Sequence, residues 1–242
     1  FHGRAILEQS EFAQNREEFE LALELADRAH PILEKQLEDD PSEDTADWAW
    51  RAQIQSSQLL MQMENRTDEI KPFAQRAIVI ADENQLSLKQ RRLGHQLLAS
   101  VCNELGDNQG AYEAQLKTTE LSEEYFRPMI NESDNRDRLA GVYGNLCWYA
   151  LFVSEFEKAI EAGKAGLDVQ YESWIAGNMA HGYLLTDQYD EAIKIYKRHV
   201  GEPYRGGEDE LWEEIVKEDF DELRAAGIEH PDMEKVENEL GF

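Results

Sequence analysis

The chain has 242 residues and is strongly acidic, with 51 Asp and Glu residues against 24 Lys and Arg residues and a net charge of −27. This charge disfavours nucleic acids and anionic lipids, because binding to phosphates depends on Lys and Arg displacing counterions. Hydrophobic residues at 41% and aromatic residues at 10% predict a folded chain and argue against acidic disorder. We therefore expect no nucleic-acid partner, and the charge either favours a protein partner of neutral to basic character or only provides a solvated acidic surface without a dedicated partner.

The cysteine content, the longest apolar run and the first residues bear on disulfides, membrane insertion and location. Cys102 and Cys147 are too few for a disulfide framework, and both lie in apolar helical patterns. The run LCWYALFV, from Leu146 to Val153, is too short to cross a bilayer, so no membrane insertion is predicted. The chain begins FHGRAILEQS, with neither a Met nor the apolar segment of a signal peptide. A cytoplasmic protein is favoured, and a trimmed N-terminus leaves an exported form open.

Apolar residues recur at intervals of three and four along most of the chain, which predicts helices, and no sustained alternation typical of strands is found. In chain order, Pro31 interrupts a helical run and is expected to kink or end it. Capping boxes are predicted at Ser87–Gln90 and at Ser154–Glu157, each at a helix start. Connections are predicted at 39–44, 106–110 and 201–207. The sequence therefore predicts about a dozen helices in consecutive antiparallel pairs.

Small residues recur at a spacing of twelve across the predicted turns. Cys147 precedes Ala159 by this interval, and Ala180 precedes Ala192 by the same interval. Small side chains on facing helices let the two backbones approach closely where the helices cross. One helix pair cannot bury its apolar surface alone, so the recurrence predicts stacked pairs. The same interval links Ser10 to Ala22 and Ala99 to Ala111.

Two segments, GNLCWYALFVSEFEKAIEAGKAGLD (144–168) and GNMAHGYLLTDQYDEAIKIYKRH (177–199), resemble tetratricopeptide repeats. The family's order of small residue, aromatic, alanine and aromatic is matched by Ala180, Tyr183, Ala192 and Tyr196. Ala159 and Ala192 are 33 residues apart (192 − 159 = 33), close to the family period of about 34. The resemblance is closest over 144–199, looser from residue 92, and weaker before that.

The chain departs from the family pattern between its third and fourth repeats. Ala111 and Ala159 are separated by 48 residues (159 − 111 = 48), so the segment FRPMINESDNRDRL is expected to extend a loop or a helix. The proline that usually closes each repeat is also missing. The resemblance nevertheless implies an all-α, right-handed α-solenoid of about five antiparallel helix pairs with C-terminal closing helices. Residues 1–206 would form the repeat domain, with degenerate pairs in 1–84 and clearer repeats in 87–206, and 207–242 would form the closing helices.

No catalytic motif stands out in the sequence. GxSxG, a phosphate-binding glycine loop, HExxH and a dinucleotide fingerprint are all missing. No two of the six histidines have metal-ligand spacing within one helix. We therefore predict that the chain is not an enzyme and needs no cofactor or metal. An enzyme built on the solenoid is the least favoured of three hypotheses.

The resemblance also implies a binding surface. In tetratricopeptide arrays the first helix of each pair lines an inner groove, and an asparagine near its middle often holds the backbone of an extended ligand. Asn145 and Asn178 match this position, and Trp148 and His181 follow one turn later. An amide offers both a donor and an acceptor to a peptide unit, and an aromatic ring supplies an anchoring surface. The predicted peptide-binding residues are Gln96, Asn103, Asn145, Trp148, Asn178 and His181, with Gln55 and Gln62 extending the polar lining.

Two alternatives stay open for these residues. Trp148 can pack against the neighbouring helix pair, and the asparagines can bridge helices. The family's clamp for acidic peptide tails requires Lys and Arg along the groove, and the matching positions do not supply them. We therefore predict a protein-interaction module or scaffold that binds a peptide in the concave groove without catalysis. The alternative is a regulatory or sensor segment of a larger multidomain protein.

Overall fold

The computed structural model describes residues 2–63, 66–204 and 211–241, and within these ranges it contains helices and no strand. The chain divides into two compact units, Phe1–Leu121 and Ser122–Phe242. The prediction of an all-α chain with about a dozen helices is confirmed. In chain order the helices are α1 (His2–Gln14), α2 (Phe19–Asp39), α3 (Glu43–Gln62), α4 (Thr67–Glu83), α5 (Leu88–Glu104), α6 (Asn108–Phe126), α7 (Ser133–Phe152), α8 (Phe156–Val169), α9 (Ser173–Leu185), α10 (Tyr189–Arg198), α11 (Trp212–Ala225) and α12 (Asp232–Leu240).

In the first unit each helix packs against the next one along the chain, from α1 to α5. The apolar faces of these helices meet in one core, which includes the fully buried Leu7, Leu33 and Leu59. Ser10 lies where α1 crosses α2, and its hydroxyl donates a 2.6 Å hydrogen bond to the carbonyl oxygen of Ala22. The predicted small-residue pair Ser10 and Ala22 is therefore a helix crossing.

In the second unit α7 packs on α8, α8 on α9 and α9 on α10, and α12 contacts α10 and α11. The predicted small residues at the crossings, Cys147, Ala159, Ala180 and Ala192, all have 0% exposure. Backbones also approach closely between pairs: a Cβ added to Gly163 would lie 2.6 Å from the Cβ of Met179. Small residues are required because a neighbouring helix passes directly over each of them.

Helix starts agree with the sequence at one predicted capping box and differ at the other. Ser87 caps α5, with its hydroxyl accepting from the amide of Gln90, as predicted. The box at Ser154 is wrong, because α8 begins at Phe156 and its N-cap, Glu155, makes no side-chain cap hydrogen bond. Ser154 instead has a φ of 60°. It therefore turns the chain from α7 into α8 in the left-handed conformation.

The expectation that Pro31 could end its helix is wrong, since α2 runs through it as one helix. A proline inside a helix removes one backbone hydrogen bond and costs about 3 kcal/mol. Residues on both sides of Pro31, among them Ala26, Ala29 and Leu33, are buried. We attribute the continuity of α2 to this burial, which offsets the lost hydrogen bond.

The long interval between Ala111 and Ala159 lengthens two helices. α6 continues to Phe126, a short 3-10 helix spans Arg127–Met129, and α7 begins at Ser133 with 20 residues. Across residues 2–63, 66–204 and 211–241, none of the helices is long and apolar enough to span a bilayer. The predicted boundary between residues 206 and 207, together with part of the predicted connection at 201–207, lies outside the described residues.

Candidate functional site

Four of the six predicted site residues lie in the second unit, on the first helices of two successive pairs. Asn145 and Trp148 are on α7, and Asn178 and His181 are on α9. Asn145 is exposed and Trp148 is half-buried. The Trp148 ring packs edge-on against Phe152, with 4.8 Å between ring centroids, and lies 6.2 Å from the His181 ring. The rings of Trp148 and His181 therefore lie near one another on neighbouring first helices.

Asn178 has a partner within the chain. Its side chain is only 8% exposed, and its Nδ2 donates a 3.3 Å hydrogen bond to the carbonyl oxygen of Gly144 on α7. Its amide therefore bridges the first helices of two pairs, which is the alternative role considered above. Contact between Asn178 and a bound peptide stays a prediction.

His181 lies in a buried polar network. Its Nδ1 lies 2.8 Å from the Tyr196 hydroxyl, and its Nε2 lies 3.0 Å from Oδ2 of Asp219 on α11. Burial raises the pKa of Tyr196 well above its ordinary value of 10.0, so the hydroxyl keeps its proton. An imidazole that donates from Nε2 to Asp219 and accepts at Nδ1 from Tyr196 satisfies all three groups. His181 has 0% exposure, and a direct peptide contact by this residue also stays a prediction.

Gln96 and Asn103, the other two predicted site residues, lie on α5 of the first unit, and both are exposed. The Oε1 atom of Gln96 accepts a 2.7 Å hydrogen bond from Arg92. No side-chain hydrogen bond is found for Asn103 among the described residues. Both amides are therefore on an accessible surface of the first unit.

The first unit also contains a groove most of whose lining residues the sequence did not single out. This groove has a volume of about 430 Å³ and is formed by α1, α3 and α5, the first helices of three successive pairs. It combines amide, charged and apolar side chains. Its lining residues are Glu11, Asp47, Trp50, Arg51, Ile54, Gln55, Gln58, Ser87, Lys89, Gln90 and Leu93.

Trp50 is the unusual residue of this groove. Its side chain is 8% exposed, and its indole N–H has no hydrogen-bond partner among the described residues. A buried donor without a partner costs about 1–3 kcal/mol, which is why buried indole N–H groups usually find an acceptor. Sequence reasoning had no signal for this, because a tryptophan in an apolar helical pattern reads as a core residue. The nitrogen itself is buried in the wall of the groove, so a bound molecule could supply the missing acceptor only by displacing the side chains that cover it.

Glutamines on α1 and α3 form a chain of amides. Gln55 donates from Nε2 to Oε1 of Gln14 at 2.7 Å, and Gln14 donates to Oε1 of Gln62 at 3.0 Å. Gln58, also on α3, is exposed and lines the groove. Gln55 and Gln62, which were expected to extend the polar lining, both lie on α3, and Gln55 is the one of the two that lines this groove.

The charged groups of the groove are of two kinds. Asp47 is neutralised, with Arg51 Nε at 2.8 Å from its carboxylate and Gln90 donating to it at 2.8 Å. Glu11 and Lys89 also line the groove, and neither forms an ion pair with any residue in the described ranges. The groove therefore has no net charge from these four ionised side chains, although the chain as a whole is strongly acidic.

A second cavity, of about 370 Å³, includes Cys102 and the ion pair between Lys71 and Asp107, whose charged atoms are 2.6 Å apart. Burial raises the pKa of the Cys102 thiol above its ordinary value, with a smaller opposing effect from Lys71. A thiol that stays protonated is a poor nucleophile. This arrangement therefore does not favour cysteine catalysis.

No protein-family model and no curated protein matches the sequence. Solved structures do match the fold. RapI in its apo form aligns with a TM-score of 0.60 at 13% identity, over 98% of this chain and 61% of RapI. The nearly identical TPR-like repeats of a kinesin-light-chain-type protein of Podosopora anserina align with a TM-score of 0.58 at 15% identity, over 81% of this chain and 92% of that one.

BtubC (BKLC) from P. vanneervenii aligns over 92% of this chain and 89% of its own length, with a TM-score of 0.54 and 16% identity. At these identities the similarity concerns the fold alone. The matched structures include TPR-like repeats, and the helices here pack in the same consecutive manner. The chain therefore has the tetratricopeptide-repeat-like fold that its sequence resemblance predicted.

Proposed function

We propose that the chain is a non-catalytic interaction module that holds an extended segment of another polypeptide in the α1–α3–α5 groove of its first unit. The observation that carries the proposal is the unpaired N–H of Trp50 beside an open groove of about 430 Å³. A peptide carbonyl oxygen is the commonest acceptor that a protein partner can offer. Binding that displaces the side chains covering this buried nitrogen would give the donor the partner that it lacks in the free chain.

The amides beside Trp50 suit the same ligand. Gln55 and Gln58 line the groove, and each amide has both donor and acceptor atoms. Main-chain N–H and C=O groups are present in every peptide, so such a lining favours extended backbone over a particular side chain. Ile54 and Leu93 add apolar surface for an anchoring side chain. The groove therefore supplies both backbone contacts and an apolar anchor.

The net charge of −27 supports a partner with basic segments. Long-range attraction between opposite charges raises the association rate and weakens as salt screens it. The groove itself carries equal numbers of acidic and basic side chains, so the attraction would act mainly on the approach of the partner. In the second unit, the exposed Asn145 and the half-buried Trp148 are the predicted residues best placed for contact with a partner.

The proposal is tested by panning a random heptapeptide display library against the full chain. Gln58→Trp would fill the groove, because Gln58 is an exposed groove residue without a side-chain hydrogen bond among the described residues. Glu24→Trp is the matched control, since Glu24 is also exposed but lies on α2, outside the groove. We expect Gln58→Trp to abolish peptide recovery and Glu24→Trp to leave it unchanged. Equal recovery with both variants would show that this groove is not the binding site.

A further inference from the structure

We infer that the α1–α3–α5 groove selects a segment of mixed charge, with a basic side chain towards Glu11, an acidic side chain towards Lys89, and a carbonyl between them bound to the Trp50 N–H. This inference rests on the proposed function and specifies the chemistry of the segment. It would make Trp50 a specificity-determining donor and would make the groove sensitive to the order of charges along the peptide.

Contacts between the helices fix the order of the three groups. Arg4 pairs with Asp44, and Gln14 accepts from Gln55 at 2.7 Å, so α1 runs alongside α3 in the same direction. Glu11 comes one turn before Gln14, and therefore lies beside the middle of α3, a little before Gln55. Glu11 is thus level with the part of α3 that follows Trp50.

On the opposite side of α3, Gln90 donates to Asp47 at 2.8 Å. Lys89 is the neighbour of Gln90 in the first turn of α5, so it lies beside the first turns of α3, level with the part that precedes Trp50. Trp50 therefore comes between Lys89 and Glu11 along α3. A segment that crosses the groove would meet an ammonium group, an N–H donor and a carboxylate in that order.

The two charged groups are available because neither is engaged within the described part of the chain. The other two charged residues of the groove, Asp47 and Arg51, form an ion pair with each other. The Arg51 guanidinium also lies over the Trp48 ring, 5.1 Å from its centroid. Glu11 and Lys89 are therefore the groups that can distinguish ligands by charge. Because they have opposite signs, each would favour the opposite charge and repel a like one.

Two variants test the inference in the full chain, each with the same heptapeptide library. Trp50→Phe removes the N–H and keeps an aromatic ring. Exchanging the charges with Glu11→Lys and Lys89→Glu in one protein leaves the net charge at −27, so long-range attraction does not change. We expect the peptides selected by the wild type to carry one basic and one acidic side chain in one order, and those selected by the exchanged variant to carry them in the reverse order.

For Trp50→Phe we expect about two- to tenfold weaker binding of the wild-type peptides, the effect of one lost hydrogen bond. The melting temperature should fall only by the cost of the smaller ring in the core, because the N–H has no partner to lose in the free chain. Unchanged affinity would overturn the role of Trp50. An unchanged order of charges in the exchanged variant would overturn the charge selection.

These results are separable from the test of the proposed function. If peptides are recovered, are lost with Gln58→Trp and show no order of charges, the groove binds peptides and the present inference is wrong. If no recovered peptide depends on the groove, both the proposed function and this inference fail.

Discussion

The indole ring of Trp174 occupies the space that a side chain on Gly144 would need: a Cβ added to Gly144 would lie 2.2 Å from the Trp174 ring. The same relationship recurs in the next pair, where a Cβ on Gly177 would lie 2.7 Å from Trp212. In both cases a glycine in the first helix of one pair receives a tryptophan from the start of the first helix of the next. A glycine and a ring therefore fix how successive pairs stack in the second unit.

Gly144→Ala and Gly177→Ala should each lower the free energy of unfolding by about 1–3 kcal/mol, the usual cost of overpacking. The added methyl group would overlap an aromatic ring, and Trp212 is only 2% exposed and has little room to move. Urea unfolding followed by circular dichroism measures the change.

Gly141→Ala is the control for these variants, because it lies on the same helix as Gly144 and a Cβ there meets nothing within 4 Å. Alanine is a better helix former than glycine, so the free energy of unfolding of this variant should rise by about 0.5–1 kcal/mol. A loss of stability at Gly141 equal to that at Gly144 would mean that helix α7 itself, and not the tryptophan contact, is sensitive to substitution.

Ala159→Leu and Ala192→Leu should each destabilise the fold by about 1–3 kcal/mol. Both alanines have 0% exposure at helix crossings, so a larger side chain would push the helices apart. Ala5→Leu on α1 is the comparison, since Ala5 is exposed and should tolerate the change. Thermal unfolding of the three variants is sufficient, and equal melting temperatures would contradict the close crossings.

The small residues explain why the fold could be predicted from the sequence. Ala180 and Ala192 lie on consecutive helices joined by one turn. A short stretch of sequence is therefore enough to predict where these two helices cross. The Ser154 box was misread because Ser154 lies in the turn before α8, with a φ of 60°, and the helix begins two residues later at Phe156. Local patterns therefore predict which helices pair better than they predict where each helix begins.

The candidate site could be predicted only in part, because burial depends on contacts between distant residues. His181 was expected on an open groove, but it pairs with Asp219, which is 38 residues away in the sequence. The lack of an acceptor for the Trp50 N–H depends on which side chains from distant parts of the chain surround it. A single helix pattern contains neither kind of information.

Asn178→Ala and Asn145→Ala should differ in their effect on stability, because Asn178 is buried and Asn145 is exposed. Asn178 is buried and donates to Gly144, so its loss should reduce stability by about 0.5–1.5 kcal/mol. Asn145 is exposed, and its replacement should change stability by less than about 0.5 kcal/mol. Chemical unfolding of both variants tests this, and a larger loss at Asn145 would contradict the assigned roles.

Tyr143 should make the stability of the second unit depend on alkaline pH. Its hydroxyl donates to Glu123, whose carboxylate also accepts from Arg127 at 2.6 and 2.8 Å. Burial, followed by this hydrogen bond, raises the pKa of Tyr143 from its ordinary value of 10.0 to about 12. The folded state therefore favours the protonated phenol more strongly than the unfolded state does.

A raised pKa contributes stability that is complete below the unfolded value and is lost as pH rises through the folded value. The contribution of Tyr143 should therefore be present below pH 10.0 and decline towards about pH 12. Tyr143→Phe has no phenol to ionise, so its urea midpoint should fall less than that of the wild type between about pH 9 and about pH 11. The other tyrosines are present in both proteins. The difference between the two decreases in urea midpoint therefore isolates the contribution of Tyr143. Equal falls would mean that Tyr143 ionises as easily in the folded chain as in the unfolded one, contrary to its burial beside Glu123.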